Sequence, residues 1–219
     1  MTVPYINEAG ELELASPELM DRCWSEGWRH FGSYFFRYSR MSELRGFKTV
    51  TPLRMRLEDF TPSSSQARVL KRNANLELVI RDATIDLEKR QLFALHSQRF
   101  TENVPESLYS FLGLNPARVP SETKELALYK DGRLIAVTFL DIGATSTSSI
   151  YSIYDPNESK HSLGVYLILC SIKHSISLGK TLYYPGYATL EPSAYDYKKR
   201  FSALEFYDWN GNWLKLGMV

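Results

Sequence analysis

The sequence has 219 residues, of which 44% are hydrophobic and 23% are charged, and its net charge is +1. This length and composition are typical of one globular domain with at most a short appendage. The near-neutral charge disfavours a protein that coats long nucleic acids, although basic residues cluster locally. Because no stretch reaches the roughly 18 apolar residues needed to span a bilayer, and no signal peptide is visible, we expect no membrane association.

Cysteines and histidines are few. Cys23 and Cys170 are the only two cysteines, which disfavours a disulfide-stapled secreted protein and favours the reducing cytoplasm. The four histidines are scattered, and no two have a metal-ligand spacing. We therefore expect no metal site, and among the histidines only His161 merits a test for catalysis.

The first half of the chain alternates predicted helices and strands. Ser16 and Pro17 mark a helix start, and a strand follows near Phe35 to Tyr38. Alternating apolar and polar residues from Arg45 to Leu57 predict a half-buried strand. Further predicted elements are a short basic helix at 66–73, a strand at 76–81, an amphipathic helix at 86–100 and a short helix after Pro105.

The second half contains the clearest local patterns. Two apolar runs flank Asp131-Gly132, a pair typical of a tight hairpin turn. A third strand at 148–154 precedes a helix from Ser162 to Leu178, which is apolar nearly all round and is therefore expected to be buried, with Gly179 at its C-terminal cap. The remaining predicted elements are a strand at 181–187 and a hairpin at 203–216 around Asn210-Gly211.

This element order predicts an α/β (α+β) fold with a mixed central sheet flanked by helices. It is similar to the layout of acyl-CoA N-acyltransferases, the GNAT fold. In that fold the strand before the central helix separates from its neighbour, and a cleft opens at the helix N-terminus, where free N–H groups can face an anion. We expect residues 1–44 to form an N-terminal segment packed on a transferase domain of residues 45–219.

The segment from Tyr154 to Gly164 combines residues suited to a cleft. A strand delivers Tyr154 and Asp155 to a loop, and Pro156 prevents the strand from continuing. Ser162 is placed to cap the next helix, and Gly164 permits close approach to its first turn. A plain strand–loop–helix connection explains these residue types about equally well. The segment lacks the arginine and second glycine with which the GNAT fold cradles the coenzyme A pyrophosphate, which disfavours an acyl-CoA donor.

Five segments, in order, resemble the arginyl-tRNA and leucyl-tRNA–protein transferase family. Each alone is weak evidence, whereas five in the family's order over about residues 26–209 are strong evidence of kinship. The segments are Glu26–Gly32, Phe60–Asn73, Tyr154–Gly164, Tyr183–Tyr187 and Tyr195–Glu205.

The resemblance implies an enzyme that moves arginine or leucine from aminoacyl-tRNA to the N-terminal amine of a protein or peptide beginning with Asp or Glu, marking that protein for degradation. It implies no cofactor. Family members carry an N-terminal cysteine motif that binds a metal or cluster. The sequence here has a shorter start and no Cys-x-x-Cys, so neither is expected. Two alternatives stay open, namely an N-acyltransferase of the same fold that uses acyl-CoA or a small amine acceptor, and a non-catalytic binder of acidic N-termini or tRNA ends.

The resemblance also suggests roles for individual residues. Asp155 is predicted to orient or deprotonate the acceptor amine, and Tyr154 or Tyr187 to hydrogen-bond the ester or the amine. For Lys71 and Arg72 a solvated helix end is the plainer interpretation. The predicted substrate-binding residues are Ser162, Leu163 and Gly164, facing the tRNA 3′ end, Lys71, Arg72 and Lys198, contacting phosphates or the acceptor carboxylate, and Asn73 and Tyr197, which belong to the same segments.

Overall fold

The computed structural model describes residues 3–43, 46–100, 104–193 and 196–217. The predicted boundary at residues 44 and 45 lies outside these ranges, as does Tyr195 of the fifth segment. The division into 1–44 and 45–219 stays a prediction. No helix in the described ranges is long and apolar enough to cross a membrane.

The N-terminal part forms a small antiparallel sheet with one helix. Its strands pair in the order β1-β3-β2, and Ser16 caps the helix by accepting from the Leu19 amide, as predicted. The sheet and helix pack on the rest of the chain through Met20, Trp24 and Phe35, which contact the buried Tyr184. The elements are β1 (Asn7–Glu11), α1 (Pro17–Ser25), β2 (Arg29–Phe31) and β3 (Tyr34–Tyr38).

The described residues contain a second, mixed sheet of nine strands. Its order is β12-β11-β5-β10-β9-β8-β7-β6, with β4 pairing to β5. Asp131 and Gly132 both have positive φ in the β7–β8 turn, which confirms the predicted hairpin. The strands are β4 (Arg40–Glu43), β5 (Gly46–Arg56), β6 (Glu77–Asp82), β7 (Thr123–Lys130), β8 (Arg133–Ile142), β9 (Ser146–Tyr154), β10 (Leu182–Thr189), β11 (Leu204–Tyr207) and β12 (Trp213–Lys215).

Helices cover both faces of this sheet. The helices are α2 (Ser64–Arg72), α3 (Leu87–Ser97), α4 (Tyr109–Leu112) and α5 (Leu163–Ser177). Because side chains alternate along a strand, Leu126 and Leu128 face the cluster under α2 and α5, whereas Ala127 faces the cluster under α3 and α4. The predicted fold class, a mixed sheet flanked by helices, is confirmed.

The parallel strands β9 and β10 are paired over only three residues each and then separate. Leu182 to Tyr184 pair with Ser146 to Ser148, and the ladder between these two strands ends there. Beyond that point β10 shifts register against β5 between Tyr183 and Gly186. Strand β9 continues past this point to Tyr154, which lines a pocket together with the first residues of α5, so the separation of strands expected from the GNAT layout is present.

Candidate active site

A pocket lies at the N-terminus of α5, between the end of β9 and the 3₁₀ segment Asp196–Arg200. We call it the α5 pocket. Its volume is about 250 Å³. Five of the predicted site residues line it, namely Tyr154, Ser162, Leu163, Gly164 and Tyr197, together with Arg99, Pro156, Glu158, Ser159 and Val165.

Asp155 lies buried behind the pocket wall. Its carboxylate accepts from Arg133 at 2.5 Å and from the Asn157 amide at 2.9 Å, which caps the 3₁₀ helix Pro156–His161. Burial opposes ionisation of Asp155, yet the hydrogen bonds from Arg133 and Asn157 outweigh it and lower the pKa. A carboxylate held in this way is a weak base. Its contacts position the pocket wall, and its predicted contact with the acceptor amine stays a prediction.

Glu158 supplies a carboxylate to the pocket lining, and cations surround it. Its oxygens accept from Lys130 at 3.0 Å and from Arg133 at 2.9 Å, and His161 Nε2 lies 3.4 Å away. The hydrogen bond from Lys130 is the main cause of a lowered pKa for Glu158. The carboxylate is therefore already paired, and the pocket is not acidic.

The C-terminal end of α2 is bound to the same wall. Arg72 donates to the Lys160 carbonyl at 2.5 Å, and Asn73 Nδ2 donates to the His161 carbonyl at 2.8 Å. Asn73 Oδ1 lies 2.6 Å from His161 Nδ1, and since an amide oxygen only accepts, Nδ1 carries the proton. Lys71 is exposed on the same helix end. The basic end of α2 thus lies beside the pocket.

The start of α5 differs from the prediction at one residue. Ser162 occupies the N-cap position, but its left-handed backbone (φ 52, ψ 46) turns the side chain away from the helix, and it makes no capping hydrogen bond. The prediction that its side chain caps α5 is wrong. The chain between β9 and α5, expected to be a loop, is largely the 3₁₀ helix Pro156–His161.

A second site lies where β9 and β10 separate. The Arg29 guanidinium donates to Ser148 Oγ and to the Ser149 carbonyl. Lys198 Nζ donates to the Tyr187 carbonyl at 3.3 Å. We call the site formed by Arg29, Tyr187 and Lys198 the branch cleft. Each of these three residues is partly exposed as a whole, although burial dominates the environment of its polar group.

Gly186 leaves room for the two cations of the branch cleft. Its φ is +97°, and a Cβ atom at this position would lie 3.3 Å from Lys198 Nζ and 3.8 Å from the Arg29 guanidinium. Any side chain here would meet both strain and crowding. Tyr187 directs its hydroxyl away from solvent, donating to the Gly27 carbonyl at 2.6 Å. The predicted contact of Tyr187 with substrate stays a prediction.

Burial and charge shift the pKa values of all three branch-cleft residues. Burial and the neighbouring positive charge of Arg29 lower the pKa of Lys198 to about 7. Burial also lowers the pKa of Arg29 and raises that of Tyr187. A lysine amine that is partly neutral near pH 7 is able to accept a proton.

Sequence reasoning assigned no role to Arg29 or Arg99. Arg29 lies inside the first family-like segment, Glu26–Gly32, so the signal was present there. Arg99 follows α3 and meets Tyr154 only through the fold, with its guanidinium 4.6 Å from the ring centroid. Within the described ranges, no group of three or more His, Cys, Asp or Glu side chains is arranged to hold a metal ion.

Comparison with known proteins adds the family context. Residues 84–208 match the family model described as the C terminus of arginine-tRNA-protein transferase. The aspartate/glutamate leucyltransferase of Leptospira interrogans is 29% identical over 192 residues, which cover 85% of this chain and 73% of that protein. The aspartate/glutamate leucyltransferase of Acinetobacter baumannii is 31% identical over 198 residues, which cover 87% and 69%.

A solved structure supports the fold. The crystal structure of FemX matches with a TM-score of 0.50 at 9% identity, covering 87% of this chain and 65% of that chain. At this level of identity the likeness concerns the arrangement of sheet and helices alone.

Proposed function

The chain belongs to the arginine-tRNA–protein transferase family and is an aminoacyl-tRNA–protein transferase, and from this premise we propose that it transfers leucine from leucyl-tRNA to the N-terminal amine of proteins or peptides that begin with Asp or Glu. The observation that carries the proposal is the cationic branch cleft beside the α5 pocket. The relatives named aspartate/glutamate leucyltransferase support the same choice of substrates.

The branch cleft suits an acidic acceptor. Arg29 keeps its charge at every physiological pH, and its contacts with Ser148 and Ser149 hold it at the opening between the strands. A carboxylate that pairs with a guanidinium gains about 1.5–3 kcal/mol from each charge-assisted hydrogen bond. An acceptor with Asn or Gln at its first position lacks that charge and binds less tightly.

The surroundings of the α5 pocket suit the 3′ end of a tRNA. Arg72 and Lys160 flank the pocket on one side, while Lys130 and Arg133 lie on its Glu158 side. Basic side chains that contact phosphates provide affinity for nucleic acid and make it salt-dependent. The net charge of only +1 agrees with contact to one end of a tRNA rather than to its whole length.

The charges also favour leucine over arginine as the transferred residue. An arginyl group needs a free carboxylate, but Glu158 in the α5 pocket is already paired with Lys130 and Arg133. In the branch cleft it would meet Arg29 and, when protonated, Lys198. A leucyl group carries no side-chain charge and meets no such repulsion.

The reaction needs a proton acceptor, and Lys198 fits this role better than Asp155. The acceptor's ammonium loses a proton to neutral Lys198, and the free amine attacks the ester carbonyl. A C–N bond forms, the ester C–O bond breaks, Lys198 gives its proton to the departing 3′-oxygen of the tRNA, and the attacking nitrogen releases its second proton to water. The product is a protein with an N-terminal leucine, which we propose marks it for degradation. Because the donor is charged tRNA, we place the reaction in the cytoplasm.

Transfer assays test the proposal. Labelled leucyl-tRNA and arginyl-tRNA are offered with matched peptides that begin with Asp, Glu, Asn or Gln. We expect leucine transfer to Asp and Glu peptides. Arg29→Met should lower kcat/KM for the acidic acceptors by about 10–150-fold, from the loss of one charge-assisted pair. Arg22→Met, an exposed arginine on α1, serves as the matched control.

Each alternative predicts a different result in the same assay. Equal transfer of arginine would overturn the donor assignment, and equal use of Asp and Asn peptides would overturn the acceptor assignment. Transfer from acetyl-CoA to an amine would favour an ordinary N-acyltransferase. Binding of Asp peptides without transfer from any charged tRNA would favour a non-catalytic binder.

A further inference from the structure

Arg99 lies over the ring of Tyr154 at the α5 pocket. Its guanidinium carbon is 4.6 Å from the ring centroid, and both residues line the pocket. Arg99 is exposed, and no described carboxylate forms an ion pair with it. A planar cation that lies over an aromatic ring therefore forms part of the pocket lining.

The Tyr154 side of this stack is held in place. The Tyr154 amide donates to His96 Nδ1 at 3.1 Å, and the His96 ring contacts the Tyr154 ring edge-on at 4.7 Å between centroids. Gly164 lies beside the ring, where a Cβ atom would stand 3.6 Å from it. The absence of that side chain leaves the ring accessible from the helix side.

We propose that Arg99 and Tyr154 form a stacking platform for a purine base, namely the 3′-terminal adenosine of the charged tRNA. Nucleobases stack on aromatic rings and on arginine guanidinium planes, with about 1–3 kcal/mol for each stacked base. The assignment of this base to a charged tRNA rests on the proposed function. The platform itself rests on the geometry of the pocket.

The size and lining of the α5 pocket agree with one base. Its volume of about 250 Å³ lies below the roughly 300–1,000 Å³ of sites for drug-sized ligands, so it suits a single ring system. Ser159 and Ser162 line it and offer hydroxyl groups to the polar edge of a base. A leucine side chain would leave these hydroxyls and the Arg99 cation unmatched. The 3₁₀ segment Asp196–Arg200 carries both Tyr197 of the pocket and Lys198 of the branch cleft, so it links the place proposed for the base to the place proposed for the reaction.

Binding of a minimal donor tests the platform. The probe is 3′-leucylamino-3′-deoxyadenosine, which cannot be hydrolysed as an ester and has no phosphate group. Calorimetric titration of the full chain should show binding that adenosine competes and leucinamide does not. Arg99→Ala and Tyr154→Leu should each weaken the affinity about tenfold, from the loss of part of the stacking. Arg99→Lys should weaken it comparably, because lysine keeps the charge without the plane.

Arg90→Ala is the matched control, since Arg90 is an exposed arginine on α3 that does not line the pocket. This variant should bind the probe as tightly as the unmodified protein. Thermal unfolding of every variant checks that it is folded. If Arg99→Ala and Arg99→Lys bind the probe as tightly as the unmodified protein, the platform does not exist. If leucinamide competes as well as adenosine, the pocket holds the amino-acid side chain and the assignment is wrong. Adenosine binding without transfer from any charged tRNA would instead keep the platform and overturn the proposed function.

Discussion

The proton-acceptor role of Lys198 makes a sharp prediction about pH. With a pKa of about 7, about half of the Lys198 side chains are neutral at pH 7, whereas an ordinary lysine with a pKa of 10.5 would be neutral in about one molecule in three thousand. The cleft therefore raises the neutral fraction of Lys198 at pH 7 by roughly a thousandfold. Two causes lower the pKa of Lys198, namely burial and the positive charge of Arg29.

The direction of the pH dependence of kcat follows from which protonation state of Lys198 reacts. Because the neutral amine is the base, kcat at saturating substrates should rise about tenfold per pH unit below pH 7 and level off above it. Lys198→Met should lower kcat by about 10²–10⁴-fold, the usual contribution of a positioned base. In this variant, the midpoint of the remaining rise in kcat with pH should move toward the ordinary α-amine pKa of about 7.7–8.0, because the acceptor then loses its proton to water.

Two further variants separate a base from a binding cation. Lys198→Arg keeps the positive charge but cannot give up its proton, so it should be as slow as Lys198→Met while retaining its KM for the acidic peptide. Lys199→Met, on the same 3₁₀ segment and paired with Asp196, should behave as the unmodified protein. If Lys198→Arg kept the full rate and the rise in kcat centred near pH 7, Lys198 would be a binding cation, and its role as the proton acceptor would be refuted.

Three other predictions concern binding and stability. Arg72→Ala should raise KM for the charged tRNA several-fold and reduce the salt dependence of donor binding by less than one unit of slope; an unchanged salt slope would remove Arg72 from the tRNA contact. His30→Ala should destabilise the protein by about 1–3 kcal/mol in urea unfolding, since His30 Nε2 lies 2.6 Å from Asp141 Oδ2 and both residues are buried, so that Oδ2 loses its partner while Thr123 still donates to Oδ1. A loss below about 1 kcal/mol would show that Asp141 finds another partner. Gly143→Ala should lower the thermal midpoint, at a cost of about 1–3 kcal/mol, because the new Cβ would lie 2.1 Å from Asp21 Oδ1 and 2.7 Å from Trp24; an unchanged midpoint would mean that α1 moves aside freely.

Local patterns predicted most of the central fold. Asp131-Gly132, the apolar α5 and the capping Ser16 each act through neighbours in sequence, so their elements were predictable from spacing alone. Strands β1, β2 and β4 were not. The three are short, and all five β1 residues are exposed, so they lack the apolar alternation that identifies a strand. Their pairing with β3 and β5 comes from tertiary structure.

The site was predictable where its residues are contiguous. Tyr154, Ser162 and Gly164 lie within one segment, and the structure brings them together in the α5 pocket. Arg29 and Lys198 are 169 positions apart in the numbering, and only the separation of β9 from β10 places them side by side. The shifted pKa of Lys198 arises from that contact, so no local pattern announces it.

The separation of β9 and β10 links the choice of donor to the choice of acceptor. A paired parallel ladder would satisfy the backbone and leave no space at this point, whereas the break after Ser148 admits Arg29 from the N-terminal sheet and Lys198 from the C-terminal part. Under the proposed function, the fixed charge of Arg29 attracts the acidic side chain of the acceptor and repels an arginyl donor. Together with burial, the larger cause, the same charge lowers the pKa of the Lys198 amine. Acceptor preference, donor preference and base strength therefore depend on one guanidinium, and Arg29→Met should change all three together.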